Sequence, residues 1–224
     1  MQITIPYTPR KFQNYLHQRI RGYRWSVLVC HRRFGKTVCM INHLLMAALT
    51  SKVSNPRYAY IAPTFKQAKS IAWDYIKQFT HKIPGVKFNE TELRVDLPNK
   101  ARITLLGSEN CDGLRGIYLD GCVIDEYANV NDRLFPEIIR PALSDRKGFC
   151  IFIGTPQGMN NNFYELFQHA KGADDWFYFK AKASETKVVD QDELTKAKEV
   201  MGENKFKQEF ECDWIANIEG SIYG

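Results

Sequence analysis

Along the chain, short apolar runs alternate with longer segments in which apolar residues recur at helical spacing. The apolar runs predict buried strands at residues 25–30, 58–62, 119–125 and 149–154. The helical spacing predicts helices at residues 36–49, 64–79, 134–143, 161–170 and 190–210. Strands that alternate with helices are typical of an α/β fold with a doubly wound, largely parallel sheet.

Two segments depart from this alternation. Residues 92–97 and 101–106 alternate between apolar and polar with a period of two on either side of a Pro98-Asn99-Lys100 turn, which predicts a β-hairpin. Residues 181–189 interrupt the rhythm of strands and helices, and the predicted helix that follows has little strand partner of its own. We therefore expect a core at residues 1–182, a small C-terminal lid at 183–215 that packs on the sheet, and the start of a linker at 216–224.

Composition narrows the class of protein. The chain has 224 residues, of which 44% are hydrophobic and 25% charged, and this balance excludes a wholly disordered chain. We find no apolar stretch of the roughly 18 residues that a membrane span needs, and no secretory signal. The six cysteines form no CxxC pair, which favours reduced thiols over disulfides or a zinc site. A net charge of +6 permits a polyanionic partner without requiring one.

A Gly-Lys-Thr triplet follows the first predicted strand and opens the next predicted helix. In such a loop, successive backbone N–H groups and the helix N-terminus surround a phosphate group. Gly35 lets the backbone approach the phosphate, Lys36 can reach the β- and γ-phosphates, and Thr37 can bind Mg²⁺. Cys30 stands where the usual pattern has glycine, and the loop carries two arginines. The strand–loop–helix context favours a P-loop over an ordinary helix start.

Two adjacent carboxylates end the predicted strand at residues 119–125. Ligands bind at the carboxyl ends of strands in open α/β sheets, so Asp125 and Glu126 are placed to act on a bound nucleotide. In a P-loop enzyme the aspartate supports the Mg²⁺ shell and the glutamate polarises the attacking water. The alternative is a solvated turn, which the P-loop upstream makes the weaker interpretation.

Three further residues each have a functional and a plain interpretation. Arg115, between two glycines, can swing toward a phosphate or can be a surface arginine in a turn. Thr155, at the tip of a predicted strand, can sense the γ-phosphate or can belong to an ordinary turn. Gln13 can pair with adenine and so select ATP, or can be a polar residue of an amphipathic helix. The residues alone leave all three open.

Taken in this order, the motifs resemble the N-terminal ATPase domain of the large terminase subunit of tailed bacteriophages, a DNA-packaging motor. The resemblance covers nearly the whole chain. It rests on residues 9–13, 31–37, 113–116, 123–128, 153–156 and 206–213. It implies a P-loop NTPase fold with a small C-terminal lid subdomain.

The resemblance also implies roles for individual residues. The ATP-binding residues would be Gln13, His31, Arg32, Arg33, Phe34, Gly35, Lys36 and Thr37. Thr37 and Asp125 would hold Mg²⁺, and the catalytic residues would be Glu126 as base together with Lys36, the P-loop arginine Arg32 and the arginine finger Arg115. Arg115 would act on the ATP of a neighbouring subunit in a ring. Thr155 would belong to the family's coupling motif.

For the whole protein, the resemblance implies Mg-dependent ATP hydrolysis that powers translocation of double-stranded viral DNA into a procapsid. The implied partners are double-stranded DNA, the portal protein, the small terminase subunit and further copies in a ring, without a membrane, in the host cytoplasm. The family's nuclease domain would begin after Gly224, so this chain alone is not expected to cut DNA. The alternatives are a P-loop helicase or remodeller, and a nucleotide-binding module that does not hydrolyse ATP.

Overall fold

The computed structural model describes residues 4–216. In this part of the chain, eight strands form one mixed sheet. Their bounds are β1 Trp25–Cys30, β2 Arg57–Ala62, β3 Lys87–Asn89, β4 Arg94–Asp96, β5 Arg102–Gly107, β6 Gly121–Ile124, β7 Phe149–Gly154 and β8 Trp176–Ala181.

The strand order places the ends of the central strands side by side. The sheet runs β3-β4-β5-β2-β6-β7-β1-β8. From β5 to β8 all neighbours pair in parallel, whereas β3–β4 and β4–β5 pair antiparallel. Strand β7 lies between β1 and β6, so the loops that follow these three strands meet at one edge of the sheet. The predicted α/β fold with a largely parallel sheet is confirmed.

Nine α-helices lie within residues 4–216. They are α1 Lys11–Ile20, α2 Lys36–Thr50, α3 Phe65–Ala68, α4 Asp74–Thr80, α5 Arg140–Ala142, α6 Asn162–Gly172, α7 Ala183–Thr186, α8 Gln191–Met201 and α9 Glu203–Phe210. Two π-helical segments complete longer helices: Lys69–Trp73 joins α3 to α4, and Leu134–Ile139 precedes α5. None of the helices in the described range combines the length and the apolar character needed to cross a bilayer.

Helices cover both faces of the sheet. Leu28 of β1 faces a core built with apolar residues of α1, α2 and α4, among them Leu16, Leu44 and Ile76. Its neighbour Val29 faces the opposite core, which includes residues of α6. Successive strand residues point to opposite faces, so a strand that is apolar at every position requires two covering layers. A third, smaller cluster lies between α7, α8 and α9.

Several boundaries differ from the sequence prediction. The hairpin strands and β6 are shorter than expected, and strands β3 and β8 were not predicted at all. The predicted helix at 190–210 is two helices, because Gly202 between them has a φ of 76°, which an L-residue in a helix does not adopt. The predicted helix at 134–143 begins as a π-helix that contains Pro136, and proline cannot donate a regular helical hydrogen bond.

The proposed division of the chain stays a prediction. Helices α7, α8 and α9 fall within the expected lid at 183–215. Of the expected linker at 216–224, residues 217–224 lie outside the described part of the chain.

Candidate functional site

The candidate site lies at the carboxyl edge of the three central strands. The P-loop follows β1, the acidic pair follows β6, and Thr155 follows β7. Gly35 is the residue before α2 and has a φ of 86°. A Cβ at this position would lie 2.8 Å from Nε2 of Gln13, so both the backbone conformation and the available space require glycine. The loop thereby delivers the N-terminus of the 15-residue helix α2 to the edge of the sheet.

Lys36 connects the loop to the acidic pair. Its Nζ donates a hydrogen bond to the carbonyl oxygen of Cys30 at 3.2 Å and lies 4.0 Å from Oε1 of Glu126. Its side chain is only 11% exposed. The ammonium group is therefore fixed between the end of β1 and the end of β6, where it supplies positive charge to any phosphate that enters.

Asp125 is buried and held by its neighbours. Its carboxylate accepts hydrogen bonds from the Tyr60 hydroxyl and, at 2.8 Å, from the backbone N–H of Glu126. Burial raises the pKa of Asp125, and the Tyr60 hydrogen bond and the Lys36 charge oppose that rise. The Tyr60 phenol also contacts the side chain of Thr37. Thr37 and Asp125, from two different loops, are thus gathered around one phenol.

This arrangement fits Mg²⁺. Magnesium prefers hard oxygen ligands and is often bound by one or two protein side chains together with the phosphates of a substrate. Thr37 and Asp125 provide one hydroxyl and one carboxylate beside the phosphate-binding loop. Residues 4–216 contain no cluster of three or more histidine, cysteine or acidic side chains that would hold a metal by themselves. The donor set therefore suits a nucleotide-bound magnesium ion more than a fully protein-enclosed metal.

Glu126 keeps a side chain that reaches solvent. It has a φ of 47°, in the left-handed region, and its side chain is 32% exposed. Burial is the largest cause that raises the pKa of Glu126, and the charges of Asp125 and Glu209 add to it. Lys36 and a hydrogen bond from the backbone N–H of Thr155 act in the opposite direction. A carboxylate with a raised pKa, next to a cation and open to water, is suited to accept a proton.

A cleft of about 780 Å³ opens in front of these groups. Its lining includes the P-loop on one side and the helical segment after β2 on the other. The lining residues are Arg10, Arg33, Gly35, Lys36, Thr37, Val38, Ser70, Ile71, Asp74, Tyr75 and Glu126. Sequence reasoning identified the P-loop side of this cleft, but it missed the side formed by residues 70–75.

Three of the expected ATP-binding side chains point away from the cleft. Gln13 is 4% exposed, accepts a hydrogen bond from the backbone of Arg10 at 2.9 Å and donates one to the carbonyl of Gly35 at 3.2 Å. His31 is fully buried and contacts Thr186 of α7 through Nε2 at 2.7 Å. Phe34 packs edge-on against the His31 ring. The assignment of these three residues to ATP stays a prediction.

Arg32 and Thr155 both lie beside helix α9. The guanidinium group of Arg32 lies 3.7 Å from the Glu209 carboxylate, and its backbone N–H donates to the Glu209 carbonyl at 2.7 Å. Next to Thr155, the carbonyl of Pro156 accepts a hydrogen bond from Gln208 at 2.6 Å, and Gln208 has no exposed surface. The segment 206–213 supported the family resemblance, but nothing in its sequence indicated these contacts.

Arg115 lies outside the cleft of its own chain. Its side chain pairs with Asp112 at 3.1 Å and with Glu137 at 3.4 Å, and Arg133 shares the same two carboxylates. About half of the Arg115 side chain is exposed. This placement suits either a surface ion pair or an arginine that acts on a neighbouring molecule, so the finger role stays a prediction.

Comparison with known proteins identifies the family. The profile described as terminase large subunit, T4likevirus-type, N-terminal, matches residues 29–224. The large terminase subunit of Escherichia phage T5 is 25% identical over 209 residues, which cover 90% of this chain and 46% of that protein. The chain thus spans about half the length of this relative.

Solved structures share the fold. The ATPase domain of the Thermus phage P74-26 large terminase has a TM-score of 0.79 at 21% identity, over 94% of this chain and 95% of that chain. The large terminase of another thermophilic bacteriophage, in complex with ADP, has a TM-score of 0.78 at 15% identity, over 91% of this chain and 53% of that chain. With a P-loop, an acidic pair and a family profile that spans most of its length, the chain belongs to the large terminase subunits of the T4likevirus type and corresponds to the N-terminal part of such a subunit.

Proposed function

We propose that this chain binds ATP with Mg²⁺ and hydrolyses it. The observation that carries the proposal is the position of Lys36, between the P-loop carbonyl of Cys30 at 3.2 Å and the carboxylate of Glu126 at 4.0 Å, at the mouth of the cleft. A triphosphate placed on the loop amides would meet the lysine charge and the candidate base together. The thermophilic bacteriophage terminase that shares this fold has been solved in complex with ADP and with ATP-γ-S.

In the proposed reaction, a water molecule attacks the γ-phosphorus and its proton passes to Glu126. The bond between the γ-phosphorus and the β,γ-bridging oxygen breaks, and ADP and inorganic phosphate leave. Lys36 and the amides at the start of α2 stabilise the charge that develops on the phosphoryl oxygens. Magnesium, held by Thr37 and Asp125, would neutralise further phosphate charge when it is bound. Thr155 holds Glu126 through its backbone N–H.

At the level of the whole subunit, we propose that hydrolysis drives double-stranded viral DNA into a procapsid. The partners would be DNA, the portal protein, the small terminase subunit and further copies of the large subunit in a ring, in the host cytoplasm. Contact with DNA would be made through phosphates, so it would be independent of sequence and sensitive to salt. The terminase family, to which the chain belongs, supports this assignment over a helicase or remodeller.

The test is ATP hydrolysis by site variants. Lys36→Ala should abolish both tight ATP binding and turnover, whereas Glu126→Gln should keep ATP binding and lose turnover by a factor of about 10² or more. Lys171→Ala, at an exposed position in α6, is the matched control and should behave like wild type. Normal turnover in Lys36→Ala would refute the site. Tight ATP binding without phosphate release by the wild type, including at high protein concentration, would support the non-hydrolysing alternative.

A further inference from the structure

The wall of the cleft opposite the P-loop has an unusual surface. Ser70, Ile71, Asp74 and Tyr75 line the cleft, and the residues at 71 and 75 are four apart, so they project from the same side of the helix. Both are large apolar side chains with 37% of their surface exposed. On a helix side that faces water, polar residues are the norm. Two adjacent exposed apolar residues inside a ligand-sized cleft therefore need an explanation.

The wall is firmly supported from behind. Trp73 is 1% exposed and donates a hydrogen bond to Glu90 at 2.6 Å, which fixes the middle of the segment. The Tyr75 ring lies nearly parallel to that of the buried Phe79, with 13° between the ring planes. The wall includes the π-helical segment Lys69–Trp73, and such segments occur frequently at functional sites. A rigid, partly apolar platform is thus presented to the cleft.

The size and polarity of the cleft indicate what packs there. Lys36, Thr37 and Glu126 occupy the polar end, where the phosphates are expected. A volume of about 780 Å³ lies within the usual range for pockets that enclose whole small molecules. A triphosphate group has no apolar surface to offer Ile71 and Tyr75. The flat face of a nucleobase does, and aromatic side chains commonly stack on bases without regard to their identity.

We propose that Tyr75 and Ile71 form the surface against which the base of the bound nucleotide packs. This inference rests on the proposed ATP site and adds the part of the ligand that the P-loop does not contact. It also differs from the expectation for Gln13, whose amide is buried and hydrogen-bonded to Arg10 and Gly35. Base recognition by this wall is achieved by stacking, so it applies to purine nucleotides generally and not to adenine alone.

The test compares two ligands that share the phosphates and differ in the base. Dissociation constants of ATP and of inorganic tripolyphosphate are measured by calorimetry, with Mg²⁺ present, for wild type, Tyr75→Ala, Tyr75→Phe and Phe65→Ala. Loss of stacking in Tyr75→Ala should raise the Kd of ATP by about fivefold or more and leave that of tripolyphosphate within about twofold. Tyr75→Phe should restore ATP binding. Phe65→Ala is the control, because Phe65 is similarly exposed on the same helical segment but does not line the cleft.

Each outcome bears on the proposal. An unchanged ATP Kd in Tyr75→Ala, or an equal loss for both ligands, would overturn the base wall while leaving the phosphate site intact. Failure of the wild type to bind either ligand would overturn the phosphate site, and the base wall with it. A GTP titration adds a second check, because stacking predicts that Tyr75→Ala weakens GTP and ATP by similar factors.

Discussion

At Gly107 the chain passes so close to another backbone segment that a side chain has no room. Gly107 ends β5, and a Cβ there would overlap with the backbone nitrogen of Phe65 and with the Glu109 carboxylate. Glu109 accepts a hydrogen bond from that nitrogen at 2.7 Å. Any larger residue must therefore push the beginning of α3 away from the sheet and break this bond.

We expect Gly107→Ala to lower the free energy of unfolding by about 1–3 kcal/mol, measured by urea unfolding. Gly172→Ala is the matched control, because a Cβ at Gly172 would have no neighbour within 4 Å. That change should be neutral or slightly stabilising, since alanine restricts the unfolded chain. Equal unfolding midpoints for the two variants would contradict the close approach.

Individual residues of the site were predictable where a backbone motif dictates their place. A strand followed by Gly35, Lys36 and Thr37 fixes these residues at the edge of the sheet, and the same logic places Asp125. The roles of Tyr60 and Tyr75 depend on how distant elements pack. Their sequence surroundings are those of an ordinary strand and an ordinary helix, so no local signal marks them.

At the scale of elements, two histidines join α1 to α2. The Nδ1 atoms of His17 and His43 lie 3.2 Å apart and their rings are nearly parallel. Burial lowers the pKa of His17 to about 4 and that of His43 to about 3, and the charge of Arg21 adds to both effects. The folded protein thus holds two neutral imidazoles, whereas in the unfolded chain they take up protons near pH 6.5.

Because the folded-state pKa values are the lower ones, stability is greatest above pH 6.5 and declines as the pH falls toward 4. Each histidine contributes up to about 1.4 kcal/mol per pH unit. Between pH 7 and pH 5, the wild type should lose about 2–4 kcal/mol more unfolding free energy than a His17→Gln, His43→Gln double variant. Urea unfolding at both pH values provides the measurement. An identical loss in the two proteins would show that the pair does not titrate on unfolding.

Helix α9 contacts the loop that holds the candidate base. Gln208 donates to the carbonyl of Pro156, and the neighbouring Thr155 donates its N–H to Glu126. In Gln208→Leu the buried carbonyl loses its donor and the loop can shift. We expect kcat for ATP to fall by about tenfold, with the Kd of ATP nearly unchanged. Gln168→Leu, at an exposed site in α6, is the control. Equal losses in kcat and affinity would indicate general unfolding of the site instead.

Elements with strong periodicity were predicted well, and the exceptions have physical reasons. Strand β8 was missed because it ends the sheet, and its mixture of buried and exposed residues gives no continuous apolar run. The break between α8 and α9 was missed because charged residues continue in helical spacing across Gly202. The π-helical segments have no sequence signature of their own.

At the scale of the whole molecule, the position of Arg115 bears on how one subunit could complete the site of another. Arg115 is held by Asp112 and Glu137 and does not line the cleft of its own chain. If it acts as a finger, it acts across an interface. Arg115→Ala should then lose ATPase activity by about 10³-fold in the assembled state, as removal of an arginine finger does.

Mixing two inactive variants distinguishes the interpretations. Arg115→Ala provides an intact Glu126, and Glu126→Gln provides an intact Arg115, so their mixture should recover activity well above either alone. Arg133→Ala, which removes an arginine from the same ion-pair network, is the control and should retain activity. Wild-type turnover in Arg115→Ala would assign Arg115 to a surface ion pair.

The backbone of the P-loop is not self-sufficient. The N–H of His31 donates to the carbonyl of Ala181, and that of Arg32 donates to the carbonyl of Glu209. A gene shortened to end just after β8 would therefore encode every strand of the sheet and still leave the Arg32 amide without its acceptor. The smallest unit worth expressing for nucleotide studies extends through α9, and an apparent domain border near residue 182 is a poor place to cut.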